Sequence, residues 1–383
     1  MHDKIFEYIP RYIETSVRAD NRRKMVFVAG PRQVGKTTLA KHLCELSGAD
    51  VSVRYLNWDD PVDRENIMRE RFPTGPGFLV LDEIHKFHRW RQVVKGLYDK
   101  RGEELEILVT GSARLDYYRK GGDSLQGRYY FYRLFPFSVA ELKTSAADNI
   151  HRLLEYGGFP EPFLAGSDKE TRRWSREYRS RLVREDLRDL ERVYQVDKIE
   201  LLALRLPDLV GSPLSLNSLR EDLQVSHQSV SRWVTMLENL YYVFRIYPFG
   251  APKIRAVKKE AKHYHWDWAI VKDEGAKFEN LVACHLMKWV CFLQDTEGRD
   301  IELRYFRDVD KREVDFVLVE NGRPHHFIEC KVAGINVDTN LKYLKKRFPE
   351  VTATQVVLDL DTDVINKEGI RICPAHVFLN EFI

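Results

Sequence analysis

The sequence is short of cysteine. Its five cysteines, Cys44, Cys284, Cys291, Cys330 and Cys373, are an odd number, widely spread, with no CxxC among them. That argues against a disulfide framework and a four-Cys zinc site, and fits a reducing, cytoplasmic setting. Long apolar runs are missing too: no stretch approaches about 18 residues, so no membrane span is expected. The opening residues, MHDKIFEYIPRYIETSVRADNRRK, are polar and periodic, unlike a signal peptide. Charge of one sign is also lacking. The 61 Lys+Arg against 58 Asp+Glu leave +3, too little to mark a nucleic-acid binder, though local basic faces remain open. No internal repeat or low-complexity tract is present. What is there is an ordinary globular mix, 44% hydrophobic and 31% charged, over 383 residues, enough for two or three domains.

Residues 1–20 read as a helix with Ile5, Ile9, Tyr12 and Ile13 on one stripe. Five apolar runs then alternate with helical stretches: Met25–Ala29, Val51–Leu56, Phe78–Leu81, Ile107–Thr110 and Tyr129–Leu134. That alternation predicts an α/β fold with a parallel sheet. From about Asp148 the pattern changes, and a helix from Lys169 to Leu190 carries eight basic residues against five acidic ones. It reads either as a solvated face or as an arginine donor to phosphates. Leu216, Leu219 and Leu223, a turn at Val225-Ser226, then Val230, Trp233, Val234 and Leu237, followed by Tyr241–Tyr247, give a winged-helix pattern. Its second helix would expose His227, Gln228, Ser229, Ser231 and Arg232, to DNA or to protein. Residues 253–263, with Lys253, Arg255, Lys258, Lys259, Lys262 and His263, read as an exposed basic loop. A final α/β stretch begins near Lys272.

Gly30-Pro31-Arg32-Gln33-Val34-Gly35-Lys36-Thr37 matches GxxxxGK[ST] between a strand and a helix that continues through Thr38. In that setting backbone N–H groups and the helix N-terminus cradle phosphates, Lys36 bridges the β- and γ-phosphates, and Thr37 holds Mg²⁺. Phe78–Leu81 delivers Asp82 to the metal and Glu83 to the attacking water, which points to ATP hydrolysis. Ser112, at the end of the next strand, is placed to feel the γ-phosphate. His85 reads as a surface residue.

The segments GPRQVGKTT, FLVLDEIHKF, VTGSARLD, LQGRYYFYRLFPFSVAEL and GGFPEPF occur in the order found in prokaryotic AAA+-like ATPases with a DUF4143-type C-terminal domain, and the chain resembles that family over almost its whole length. The resemblance implies an ATPase core at 1–147, a helical lid or linker at 148–210, a winged helix at 211–265 and a nuclease-like domain at 266–383. It also makes Arg128 either a candidate for contacting nucleotide across a subunit boundary, for which a homo-oligomer would be the setting, or a plain structural arginine.

Near the C-terminus, Glu313–Val319 and His325–Lys331 read as strands joined by an Asn321-Gly322 hairpin turn. Glu329 and Lys331 then share one face, Asp315 lies beside them, and Glu279 on the preceding helix reaches the same place. The spacing Asp-x13-Glu-x-Lys resembles the PD-(D/E)xK nucleases, with Val314 in place of the leading proline. That resemblance implies Mg²⁺ or Mn²⁺ on Glu279, Asp315 and Glu329, with Lys331 assisting the water. DNA is the expected partner, either cut or only held. Lys342, Lys345, Lys346 and Arg347 on a following helix would grip phosphates or face solvent.

Overall fold

A computed structural model of the chain describes residues 8–112, 115, 125–142, 146–187, 195–250 and 260–383. These form two compact units that divide between Phe135 and Pro136.

The first unit is built on five strands, β1 (Met25–Ala29), β2 (Tyr55–Asn57), β3 (Gly77–Asp82), β4 (Leu105–Thr110) and β5 (Tyr129–Arg133). All pair in parallel, in the order β2-β3-β4-β1-β5. The interior strand β1 is buried along its whole length, as an uninterrupted Met-Val-Phe-Val-Ala run with helices on both faces requires. The expected strand at 51–56 is shorter. Asp50 accepts from the Ser52 N–H at 2.9 Å and caps a helical turn, Val51–Arg54, so extended structure starts only at Tyr55. The N-terminal helix is Glu14–Asn21, and Ile5 falls outside the described residues. Because β4 lies between β1 and β3, the carboxyl ends of these strands place the loop after Ala29, the Asp82 carboxylate and the Thr110-Gly111-Ser112 turn along one edge of the sheet.

The second unit continues the strand count with β6 (Val243–Pro248), β7 (Lys262–His265), β8 (Ile301–Arg307), β9 (Glu313–Glu320), β10 (Arg323–Ala333), β11 (Thr352–Asp359), β12 (Val364–Ile365) and β13 (Arg371–Pro374). They make one mixed sheet, ordered β12-β13-β11-β10-β9-β8-β6-β7. The two helices expected before the wing are Leu216–Leu223 and His227–Asn239, capped by Ser215 and Ser226. The wing strands are not a separate module. β6 runs parallel to β8, with Tyr247 opposite Arg304, so the pair β6–β7 extends the C-terminal sheet. This corrects the reading of 253–263 as an exposed loop in part. Lys262 and His263 lie on β7 and are fully buried, whereas Lys253, Arg255, Lys258 and Lys259 fall outside the described residues. The arginine-rich helix runs Asp168–Arg181 and passes into a wider turn at Leu182–Asp186; Arg188 and Leu190 are outside the described residues. Asn321 and Gly322 have φ of 51° and 76°, as a tight type I′ hairpin between β9 and β10 demands.

The two units divide at Phe135 because of contacts made inside the second unit. Lys288, on the long helix Glu274–Glu297, donates from Nζ to Pro136 O and Ser138 Oγ, both at 3.0 Å, and pairs with Glu141. Ser138 and Glu141 close a capping box on each other. Residues 136–141 are thereby tied to that helix.

Candidate functional site

The loop after β1 is shaped by sterics first. Gly30 has φ of +145°, and a Cβ there would stand 2.1 Å from the Leu134 carbonyl oxygen, so no other residue fits. Pro31, Arg32, Gln33 and Val34 carry the chain to Gly35, where the helix Lys36–Leu46 begins. Arg11 is buried and donates to Val34 O at 2.8 Å and to Phe135 O at 2.5 Å, which pins the loop from the side. Lys36 folds back over the loop, with Nζ 3.0 Å from Gly30 O and 2.6 Å from Pro31 O. Thr37 donates its hydroxyl to Asp82 Oδ2 at 2.9 Å, and Thr38 is exposed one residue further along the helix.

Asp82 is 2% exposed and also accepts from the hydroxyls of Thr110, at 2.5 Å, and Tyr55. Burial and the adjoining Asp82 charge keep the Tyr55 phenol protonated far above its ordinary range. A carboxylate fixed by three hydroxyls, one of them from the phosphate-loop threonine, is a fitting place for a hard divalent cation. Tyr55 and Arg11 were not singled out from the sequence, and Thr110 was placed only at a strand end. The strand-end position of Thr110, opposite Asp82 in the register, was the available signal.

Glu83 sits in the left-handed region at φ of 55°. Its carboxylate is 3.3 Å from Lys86 Nζ and 3.6 Å from His85 Nε2, and Lys86 also reaches Asp59 at 2.6 Å. Burial raises the Glu83 pKa, with Lys86 and Lys36 opposing. Ser112 lies where expected, 3.3 Å from His85 Nε2. His85 itself is a correction: it is buried, not on the surface. Gly111 makes room for it, since a Cβ at that position would stand 2.4 Å from the imidazole Nδ1. His85 thus touches both the Ser112 hydroxyl and the Glu83 carboxylate.

Arg128 precedes β5, and Tyr129 pairs with Met25, so it stands at the opposite end of the strands from the phosphate loop. It is paired with Asp99 at 2.8 Å. That placement keeps it from the nucleotide of its own chain.

In the second unit the four expected residues do converge. Asp315 N–H points at Glu329 Oε2 (3.3 Å), Asp315 Oδ2 accepts from the Cys330 N–H (2.9 Å), and Lys331 Nζ pairs with Glu329 (2.8 Å) and Asp338 (3.1 Å). Glu279 is held by the Tyr264 hydroxyl at 2.7 Å. The sequence reading missed the centre of the cluster. Lys262 places its ammonium 2.7 Å from Glu313, 3.1 Å from Glu279 and 3.7 Å from Asp315. Burial opposes the lysine's charge, yet the three carboxylates hold it protonated above the ordinary range. Burial, then Asp315, push Glu279 up to about 7 and Glu329 up to about 9; burial also raises Asp315. The acids expected to take a divalent ion, Glu279, Asp315 and Glu329, have lysines as their neighbours. A lysine occupies the space between the first two, Lys331 is committed to two acids, and no group of three or more His, Cys, Asp or Glu among the described residues is arranged to hold a metal.

No described helix is long and apolar enough to cross a membrane. Comparison with known proteins adds the following. Residues 22–143 match the family model described as an AAA domain; residues 147–273 and 274–378 match two domains of unknown function, DUF8612 and DUF4143. An uncharacterised protein of Mycobacterium tuberculosis is 25% identical over 327 residues, covering 81% of this chain and 71% of its own length. One of Methanocaldococcus jannaschii is 23% identical over 348 residues, covering 74% and 71%. Among solved structures, a variant of RuvB from Thermotoga maritima overlaps 61% of this chain and 87% of its own at 18% identity with a TM-score of 0.32, too low to establish a shared fold. The chain thus carries an AAA-type, ATPase-like domain followed by a DUF4143 domain.

Proposed function

We propose that this protein hydrolyses ATP with Mg²⁺ in its first unit, and that the nucleotide governs binding of DNA by its second. One observation carries the first part: the Thr37 hydroxyl and the Asp82 carboxylate stand 2.9 Å apart beside a phosphate loop whose lysine is buried and aimed into it. Lys36 exchanges the Gly30 and Pro31 carbonyls for phosphate oxygens, a swap of hydrogen-bond partners that keeps its charge satisfied. Thr37 and Asp82 would hold the Mg²⁺, which would supply neutralisation of charge at the phosphates. Glu83 orients the attacking water, and burial raises its pKa from the ordinary carboxylate value. Ser112 faces the γ-phosphate. A contact of Arg128 with a neighbour's nucleotide would require it to leave Asp99.

The DNA part is supported by the helix His227–Asn239. It exposes His227, Gln228 and Arg232 beside a shallow hollow of about 510 Å³ whose walls also include Ser231 and Thr235. Hydrogen-bonding side chains on one exposed helix face are what reading of base edges uses. The second reading is a nucleotide-dependent switch whose DUF4143 domain holds DNA or protein without cutting. The Lys262 ammonium among the carboxylates favours holding over metal-dependent cleavage.

The test is phosphate release from ATP, with and without duplex and branched DNA. The intact protein is expected to hydrolyse ATP, faster with DNA, and Lys36→Ala to fall by at least about 100-fold, since one group of this kind contributes several kcal/mol. A Lys36→Ala protein that hydrolyses at the original rate would overturn the ATPase reading. An unaltered rate with every DNA form would overturn the coupling.

A further inference from the structure

We infer that Lys262 is a built-in counter-cation: it takes the place in the carboxylate cluster that a divalent ion would occupy, so the DUF4143 domain engages its partners without a metal centre. The geometry is that of a cation site already filled. The ammonium lies 2.7–3.7 Å from Glu313, Glu279 and Asp315, carboxylates drawn from β9 and the long helix. Its side chain is fully buried. Its backbone is fixed from both sides. β7 pairs with β6 at Ile246 opposite Lys262, the backbone is bridged to Pro213 on its other side, and the ammonium lies 5.6 Å from the Tyr305 ring centroid.

Several of the acceptors have other donors as well. Glu279 Oε1 takes both the lysine and the Tyr264 hydroxyl, and Asp315 Oδ2 takes the Cys330 N–H. A hard divalent ion needs several oxygen ligands at about 2.0–2.6 Å, and it would share this space with a fixed positive charge. Lys331, expected to activate water, is held between Glu329 and Asp338. The cluster therefore works as a charge-compensated brace that joins the long helix to β7, β9 and β10. This inference is independent of the ATPase reading, because it is tested without nucleotide.

The experiment is a Mn²⁺ titration of the full chain followed by the electron paramagnetic resonance signal of the free ion. Wild type and Asp315→Asn are expected to bind equally. Lys262→Met is expected to take up one further equivalent, which is lost in the Lys262→Met/Asp315→Asn double variant, and to gain thermal stability when Mn²⁺ is added. An Asp315-dependent Mn²⁺ in the wild type would overturn the inference. So would a folded Lys262→Met that binds no more than wild type. Should Lys262→Met fail to fold, the comparison of wild type with Asp315→Asn decides alone.

Discussion

At the scale of single residues, the candidate active site depends on small side chains where large ones would collide. Gly111 is the sharpest case. A β-carbon there would meet the buried His85 ring at 2.4 Å from Nδ1, and His85 is in contact with both Ser112 and Glu83. Overpacking of this kind costs about 1–3 kcal/mol. Gly111→Ala should lower the unfolding free energy by that amount and slow ATP hydrolysis, because the ring must move away from both partners. His85→Ala in the same chain should restore part of the stability but not the rate. Urea unfolding and phosphate-release assays of the two singles and the double measure this coupling. The glycine was visible in the sequence, as was the histidine four residues after Leu81. That they touch was not, because residues 85 and 111 meet only through the pairing of β3 with β4.

At the scale of elements, the segment 136–141 shows how one helix recruits chain from elsewhere in the sequence. Lys288 and Glu141 are 2% and 4% exposed, and the lysine's other bonds go to Pro136 O and Ser138 Oγ. Removing one partner of a buried ion pair leaves the other charge stranded, at a cost of about 3–5 kcal/mol. Ser138 still donates to Glu141 from both its N–H, at 3.0 Å, and its hydroxyl, at 3.1 Å, which places Lys288→Ala at the lower end of that range. Lys288→Met with Glu141→Gln should recover most of the loss. Denaturant midpoints of the three proteins check it, and equal instability of single and double variants would contradict the pairing. The sequence marked FPFSVAEL as a distinctive run; it did not mark Lys288, which looks like any helix-surface lysine until the helix is packed.

At the scale of the whole molecule, stability depends on buried groups of opposite titration sign in the second unit. Fully buried His263 and His285 and half-buried His326 are held near 4 by desolvation, and His265 well below its usual range, so all four are neutral in the fold. Their contribution is complete above about pH 6.5 and is lost as pH falls toward 4. Asp267 runs the other way. Burial raises it from 3.8 to about 6, against the hydroxyl of Ser175, which donates to it at 2.6 Å. The folded form keeps that proton where the unfolded chain has lost it, so the cost appears as pH rises from about 4 to about 6 and stays above that. At about 1.4 kcal/mol per pKa unit the full cost is about 3 kcal/mol. Asp267→Asn, which resembles the protonated acid, should match wild type at pH 4 and exceed it by up to about 3 kcal/mol at pH 8. Denaturant unfolding at the two pH values reads the difference; a gap that does not grow with pH would refute the assignment.

The sequence by itself determined the nucleotide loop, the Asp82-Glu83 pair, the five-strand alternation and the convergence of Asp315, Glu329 and Lys331. Those features are local, lie two residues apart on a strand, or face each other across a two-residue hairpin, so spacing and turn chemistry carry them. Only the tertiary structure decided that β6 and β7 belong to the C-terminal sheet, that His85 is buried, and that Lys262 sits among the acids. Each of these depends on burial and on contacts between residues distant in the chain, and a lysine's sequence neighbours do not say whether its ammonium faces water or three carboxylates.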